Sequence, residues 1–178
     1  RVEVELEQGG ATLIRVADDG AGMSKEDLPL AVASHATSKI TTSEDLFKIG
    51  TLGFRGEALA SIASVAHVRI VSRPHEQTEG YELLASDGRL EGPRACAAPP
   101  GTAVEVRHLF HNVPARRKFL RAASTEFANA TEQIARLALG NPKVAFSQTH
   151  NGRSVRSLPA ASDRRERIAD FYGPELAA

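Results

Sequence analysis

The sequence predicts an α+β protein in which helices cover one face of a mostly antiparallel sheet. Three observations carry that expectation. Period-two apolar alternation recurs at Val2-Val4-Leu6, Val68-Ile70, Tyr81-Leu83 and Val104-Val106. Apolar faces of helical period recur at Leu59-Ile62-Ala66 and at Phe127-Thr131-Ile134-Ala138. A run of strands follows the first helices, which is the element order of such a layer.

The elements follow in order. Val2-Glu3-Val4-Glu5-Leu6 is a half-buried strand, Gly9-Gly10 a turn, and residues 12–16 the returning strand of a hairpin. Asp18-Asp19-Gly20-Ala21-Gly22 breaks the alternation. Ser24 with Asp27 resembles a capping box built on the shorter acid and predicts a helix to about residue 33, with Pro29 inside it. Residues 35–42 read as a loop, and Thr42 or Ser43 caps a short helix over 44–49. The glycine-rich stretch 50–56 leads into a helix over 57–65. Strands around Val68, Tyr81 and Val104 are separated by Pro74, Asp87-Gly88 and Pro99-Pro100-Gly101. Asn112-Val113-Pro114 opens a short helix with proline near its first turn. Residues 125–139 read as a helix that Pro142 ends. Residues 143–147 and 154–158 pair around Asn151-Gly152, and Asp163 caps a last helix through Tyr172. A boundary near Ser124 is expected, because a hairpin restarts after a long helix.

Composition narrows the function classes. The 178 residues carry 22 Lys+Arg against 22 Asp+Glu, and the formal net charge of +0 excludes a small basic protein held to phosphates by overall charge. At 42% hydrophobic and 25% charged, wholesale disorder is excluded too. The one cysteine, Cys96, forms neither an internal disulfide nor a cysteine-rich zinc site, which favours a reducing compartment. The histidines lack metal-ligand spacing. No apolar run is long enough to span a bilayer, and no signal peptide is visible. The chain opens on Arg1 inside a strand pattern, so it is expected to be a piece of something longer.

Two loops have the chemistry of a nucleotide site. In Asp18-x-Gly20-x-Gly22 the glycines admit a flat ligand close to the backbone, and the carboxylate accepts a hydrogen bond from an amino group such as a purine's. An ordinary strand–helix turn has the same composition. In Gly53-Phe54-Arg55-Gly56-Glu57-Ala58-Leu59 a glycine loop runs into a helix, whose free N–H groups suit an anion. It has neither Walker A nor Rossmann spacing, and a plain glycine turn is the alternative. Between them His35-Ala36-Thr37-Ser38-Lys39 offers hydroxyls and an ammonium, or is a solvated loop.

With Gly101-Thr102 and Asn112-Val113-Pro114-Ala115-Arg116-Arg117-Lys118-Phe119-Leu120, these strings resemble, in this order, the MutL family of DNA mismatch repair proteins. That family lies in the GHKL-type ATPase group shared by DNA gyrase, heat-shock chaperones and histidine kinases. The Gly-Phe-Arg-Gly-Glu-Ala-Leu and Asn-x-Pro-Ala-Arg strings are its specific marks, and the resemblance covers nearly the whole chain. It implies a GHKL-type (Bergerat) two-layer α/β sandwich with a mixed, mostly antiparallel sheet over 1–124. It also implies the start of a ribosomal-protein-like, transducer-like second domain over 125–178. Asp18 would accept the adenine amino group, Gly20 and Gly22 would shape the base pocket, and Thr102 would hold the adenine side. Thr37, Ser38 and Lys39 would belong to a lid over the phosphates. Gly53, Phe54, Arg55, Gly56, Glu57, Ala58 and Leu59 would cradle them.

The implied cofactors are ATP and Mg2+. The implied activity is ATP hydrolysis that drives lid ordering, N-terminal dimerisation and clamping on DNA, linking mismatch recognition to strand removal. The implied partners are DNA, a MutS-type mismatch sensor, a downstream nuclease and helicase, and a second copy in an ATP-dependent homodimer, with no membrane. The implied location is the cytoplasm and nucleoid of a bacterium, or the nucleus of a eukaryote.

Two departures from the family pattern stand out. Asp19 replaces the usual Asn and is expected to face away from the site. The catalytic glutamate and the magnesium-binding asparagine are expected before residue 1, and a γ-phosphate lysine beyond Ala178, so this chain alone is expected to be inactive. Glu57, at a helix start, is assigned to the dipole rather than to catalysis. The basic cluster Arg116, Arg117, Lys118 and Arg121 either contacts DNA or is a solvated helix start packed by Phe119 and Leu120. Two rival readings follow: a nucleotide-independent DNA-binding module, and another GHKL ATPase such as a topoisomerase subunit or histidine kinase.

Overall fold

The period-two runs become strands of one sheet in a computed structural model that describes residues 1–33, 57–173 and 175. The strands are β1 (Val2–Glu7), β2 (Leu13–Asp18), β3 (His67–Arg73), β4 (Gly80–Ser86), β5 (Arg89–Cys96), β6 (Gly101–Arg107), β7 (Phe146–His150) and β8 (Arg153–Leu158). Their spatial order is β5-β4-β3-β6-β2-β1-β7-β8. Every pairing is antiparallel except β1 with β7. The mixed, mostly antiparallel sheet of the expectation is therefore present. Asn151 and Gly152 turn the β7–β8 hairpin with φ of 50° and 73°, the two left-handed positions a two-residue turn demands.

Register shows which face carries the core. Paired residues on neighbouring strands share a face. One transverse row runs Leu83, Ile70, Val104, Val16, Val4 and Gln148. At one end of this face α1 (Ala58–Ala63) and a 3-10 turn (Pro29–Val32) bury Leu28, Ala63, Ala66, Val68, Ile70 and Leu83. Each fully buried Leu or Ile there contributes about 1.5–3 kcal/mol. At the other end α3 (Ala123–Gly140) and α4 (Arg164–Tyr172) cover Phe146 and Leu158 with Ile134, Ala138 and Phe171. The opposite face is wet. Arg69, Glu105, Arg15 and Glu5 alternate in sign across it, with Arg69 3.1 Å and Arg15 3.8 Å from Glu105.

The sequence boundary near Ser124 falls inside the first turn of α3, and the hairpin that follows joins the same sheet beside β1. Buried Arg167 on α4 fastens this end. Its guanidinium donates to the carbonyls of Pro142 at 2.7 Å and Val144 at 2.8 Å.

Three expectations need correction. Ser24 and Asp27 make the predicted capping contacts, but the chain continues as turns and the 3-10 segment Pro29–Val32 instead of an α-helix. Pro29 has no N–H to bond backwards, and its ring collides with the carbonyl four residues earlier. Strand β5 was not expected, since Arg89-Leu90-Glu91-Gly92-Pro93 shows no alternation. As an edge strand it pairs, among the described residues, only with β4, so a proline is tolerated. Phe119 does not pack: it is 84% exposed, whereas Leu120 is half-buried and lines a hollow together with Leu109 and Ile14. The helix expected over 44–49 lies outside the described residues.

Candidate functional site

Asp18 ends β2, and register sets it beside Thr102 of β6, which is beside Ser72 of β3. All three side chains stand on the helix-bearing face. Ser72 is fully buried and orders the group. Its oxygen accepts the Met23 N–H at 2.7 Å and lies 3.1 Å from the Gly101 carbonyl and 2.8 Å from Thr102 Oγ1. With its single proton given to that carbonyl, the contact with Thr102 is donated by Thr102. The Thr102 oxygen is then left as an acceptor on the side of Asp18.

Backbone packing fixes the carboxylate. Asp18 Oδ1 accepts the Gly20 N–H at 2.9 Å. Gly101 has φ +110°, and a Cβ on it would overlap the Asp18 carbonyl oxygen. Gly22 has φ +72°, and a Cβ there would lie 2.8 Å from Pro74 N, with the Arg73 carbonyl closer still. Residues 18–22, 72–74 and 101–102 thus meet backbone to backbone, an approach only glycine permits. Arg73 steadies the loop before Gly101 by donating to the Ala98 carbonyl at 2.6 Å. Asp19 is exposed, its carboxylate turned toward the Arg1 nitrogen, 2.6 Å away.

The other candidates are placed unevenly. Glu57 immediately precedes α1; Ala58 and Leu59 open it, and Leu59 packs onto the core. Thr37, Ser38, Lys39, Gly53, Phe54, Arg55 and Gly56 lie outside the described residues. Arg116 and Arg117 belong to α2 (Pro114–Arg117), with Lys118 and Arg121 just after it. All four are exposed, and among the described residues none forms an ion pair. Among the described residues no group of three or more His, Cys, Asp or Glu is arranged to hold a metal ion, and no helix is long and apolar enough to cross a membrane.

Ser72 was missed by the sequence reading. Its one signal is a hydroxyl in phase with Val68 and Ile70, at a position that alternation assigns to the core. A hollow of about 380 Å³ has Ala17, Val71 and Ala103 on its floor, on the opposite face of the sheet, and reaches Asp18, Gly101 and Thr102 at the strand ends.

A strand-end carboxylate backed by ordered hydroxyls and close glycines, on the covered face of a mixed sheet, has a counterpart among known proteins. The family model described as "Histidine kinase-, DNA gyrase B-, and HSP90-like ATPase" matches residues 1–104, and the chain belongs to that family. Within it, the similarity is to DNA mismatch repair protein MutL. The MutL of Azotobacter vinelandii is 51% identical over 178 residues, 98% of this chain and 28% of that protein. The MutL of Pseudomonas putida strain W619 is 54% identical over 169 residues, 94% of this chain and 26% of that protein. The chain therefore spans about a quarter of the length of these relatives. Among solved structures, the Aquifex aeolicus MutL ATPase domain complexed with ADP superposes with a TM-score of 0.75 at 36% identity, over 95% of this chain and 59% of that one.

Proposed function

We propose that this chain is the adenine-nucleotide-binding part of a MutL-type mismatch repair ATPase. The arrangement of Asp18, Thr102 and Ser72 carries the reading: an anchored carboxylate beside an oriented hydroxyl, held by the close backbone packing that Gly22 and Gly101 permit. These residues fit a purine. Asp18 accepts from its exocyclic amine, and Thr102 holds the same edge, directly or through a water.

Thr37, Ser38 and Lys39 close over the phosphates, and residues 53–59 cradle them with backbone N–H groups. ATP held in this way would supply free energy on hydrolysis, when water cleaves its β–γ phosphoanhydride bond and ADP and phosphate leave. Lid closure accompanies pairing of two N-terminal domains, and the pair clamps DNA to link a MutS-type mismatch sensor to a downstream nuclease and helicase. No residue of this chain is assigned as the catalytic base or as a Mg2+ ligand. Arg116, Arg117, Lys118 and Arg121, exposed and without an ion pair among the described residues, support contact with DNA phosphates, and such binding weakens steeply with salt.

Calorimetric titration of ATP, with a turnover assay, tests the reading on this chain and on the full-length product of its gene. The chain alone binds weakly and shows no turnover; the full-length product binds and hydrolyses slowly. A full-length product that ignores ATP yet keeps its DNA affinity would be a nucleotide-independent DNA-binding module instead.

A further inference from the structure

We infer that Asn112 is a positioning residue that ties α1 to the basic segment 116–121, so that the nucleotide side and the DNA side of the molecule sense one another. This rests on the proposed function, which places phosphates before α1 and DNA at the basic segment.

The Asn112 side-chain amide uses its two protons on two different elements. One goes to the carbonyl of Ser64, the residue that closes α1, at 2.9 Å, and the other to Asp87 Oδ1 in the β4–β5 turn at 2.8 Å. Two residues earlier, Phe110 N donates to the carbonyl of Val65 at 2.7 Å. Both bonds fall on carbonyls at the C-terminal end of α1, where a helix leaves acceptors without partners of its own. His111 Nε2 stands 3.3 Å from the same Asp87 oxygen, in ion-pair range though outside the direction of a hydrogen bond.

The segment then passes straight into the basic helix. Val113 N donates to the Phe110 carbonyl at 3.2 Å, and Arg117 N donates to the Val113 carbonyl at 3.1 Å. Direct protein hydrogen bonds therefore run from the end of α1 to the α2 cations.

The backbone of this strap is strained. His108 and Phe110 have φ of 53° and 62°. Neither is a glycine, so these conformations persist only where neighbours hold them. Asn112 grips the strap at its junction with α1 and the β4–β5 turn. A displacement of α1 reaches α2 through that grip.

The test uses the full-length product and fluorescence anisotropy of a labelled duplex, with and without ATP, in the wild type, Asn112→Ala and Asp87→Ala. Asp87→Ala removes one of the two bonds from a half-exposed turn and serves where Asn112→Ala fails to fold. The wild type is expected to change its DNA Kd about fivefold or more on addition of ATP. In Asn112→Ala that ratio falls below about twofold, and in Asp87→Ala, which leaves the bond to Ser64, it falls part of the way, while the affinity for each ligand alone stays close to wild type. A merely structural role would shift Tm and leave the ratio unchanged. Variants that retain the wild-type ratio, or a wild type that binds both ligands without coupling, overturn the role of Asn112 and leave the nucleotide reading standing. A wild type that takes up no ATP overturns the nucleotide reading, and the coupling role with it.

Discussion

Gly101 lies so close to Asp18 that no side chain fits between them: a Cβ on Gly101 would overlap the Asp18 carbonyl oxygen and stand 2.8 Å from Asp19 Cα. The contact locks the end of β2 to the start of β6 and brings Thr102 level with Asp18. Gly101→Ala adds both this overlap and a disfavoured φ of +110°. It is expected to cost about 1–3 kcal/mol of stability, read from chemical denaturation, and to weaken ATP binding in the folded fraction.

Ser72→Ala removes the hydroxyl that serves Met23 N–H, the Gly101 carbonyl and Thr102 at once. Two buried backbone groups lose a partner, for an expected loss of about 1–3 kcal/mol. Thr102 is also freed to rotate, so ADP affinity falls in the folded protein. A denaturation curve paired with an ADP titration separates the two effects.

Arg167→Met takes the guanidinium donor from the Val144 carbonyl beneath α4, whereas the Pro142 carbonyl keeps the Ala161 N–H at 2.9 Å. The expected loss is about 1–3 kcal/mol, the cost of leaving a buried acceptor without its donor. Arg136→Met, on the exposed i,i+4 pair with Glu132, costs about 0.5 kcal/mol or less. Urea midpoints of the two variants should rank in that order.

Glu166 gives a pH dependence of known sign. Its carboxylate accepts from the Ser162 backbone N–H at 2.6 Å and from the Ser162 hydroxyl at 2.7 Å, which lowers its pKa below the ordinary 4.5. The charged form is favoured by folding, so the stabilisation is complete above the unfolded value and is lost as pH falls through the folded one. Glu166→Gln should therefore melt below the wild type at pH 7. The two melting temperatures should converge as the solution is acidified below pH 4.5.

The sequence was most legible where a local rule decides the outcome. Val2-Val4-Leu6 alternates because one face of β1 is buried, Asn151-Gly152 supplies two left-handed residues, and Asp163 caps α4 by accepting the Glu166 N–H at 3.0 Å. It was least legible where tertiary packing overrides the local signal. Arg167 reads as a solvated helix residue until two distant carbonyls are placed over it. Phe119 reads as a core residue because it is apolar, and stands 84% exposed. At the site, Asp18 was legible from a short string and Thr102 only through the family resemblance, and the structure puts them side by side. Ser72 was not, because its meaning depends on which hydroxyl and which carbonyl the neighbouring strand brings across.

The most direct test of the central claim is calorimetric titration of ATP into the full-length product with and without Asp18→Ala, Tm being measured on both. Losing a carboxylate hydrogen bond to the base should weaken ATP binding about 10–100-fold while Tm stays near that of the wild type, since the Asp18 side chain is exposed. Equal ATP affinity in the two proteins, both folded, would contradict the account.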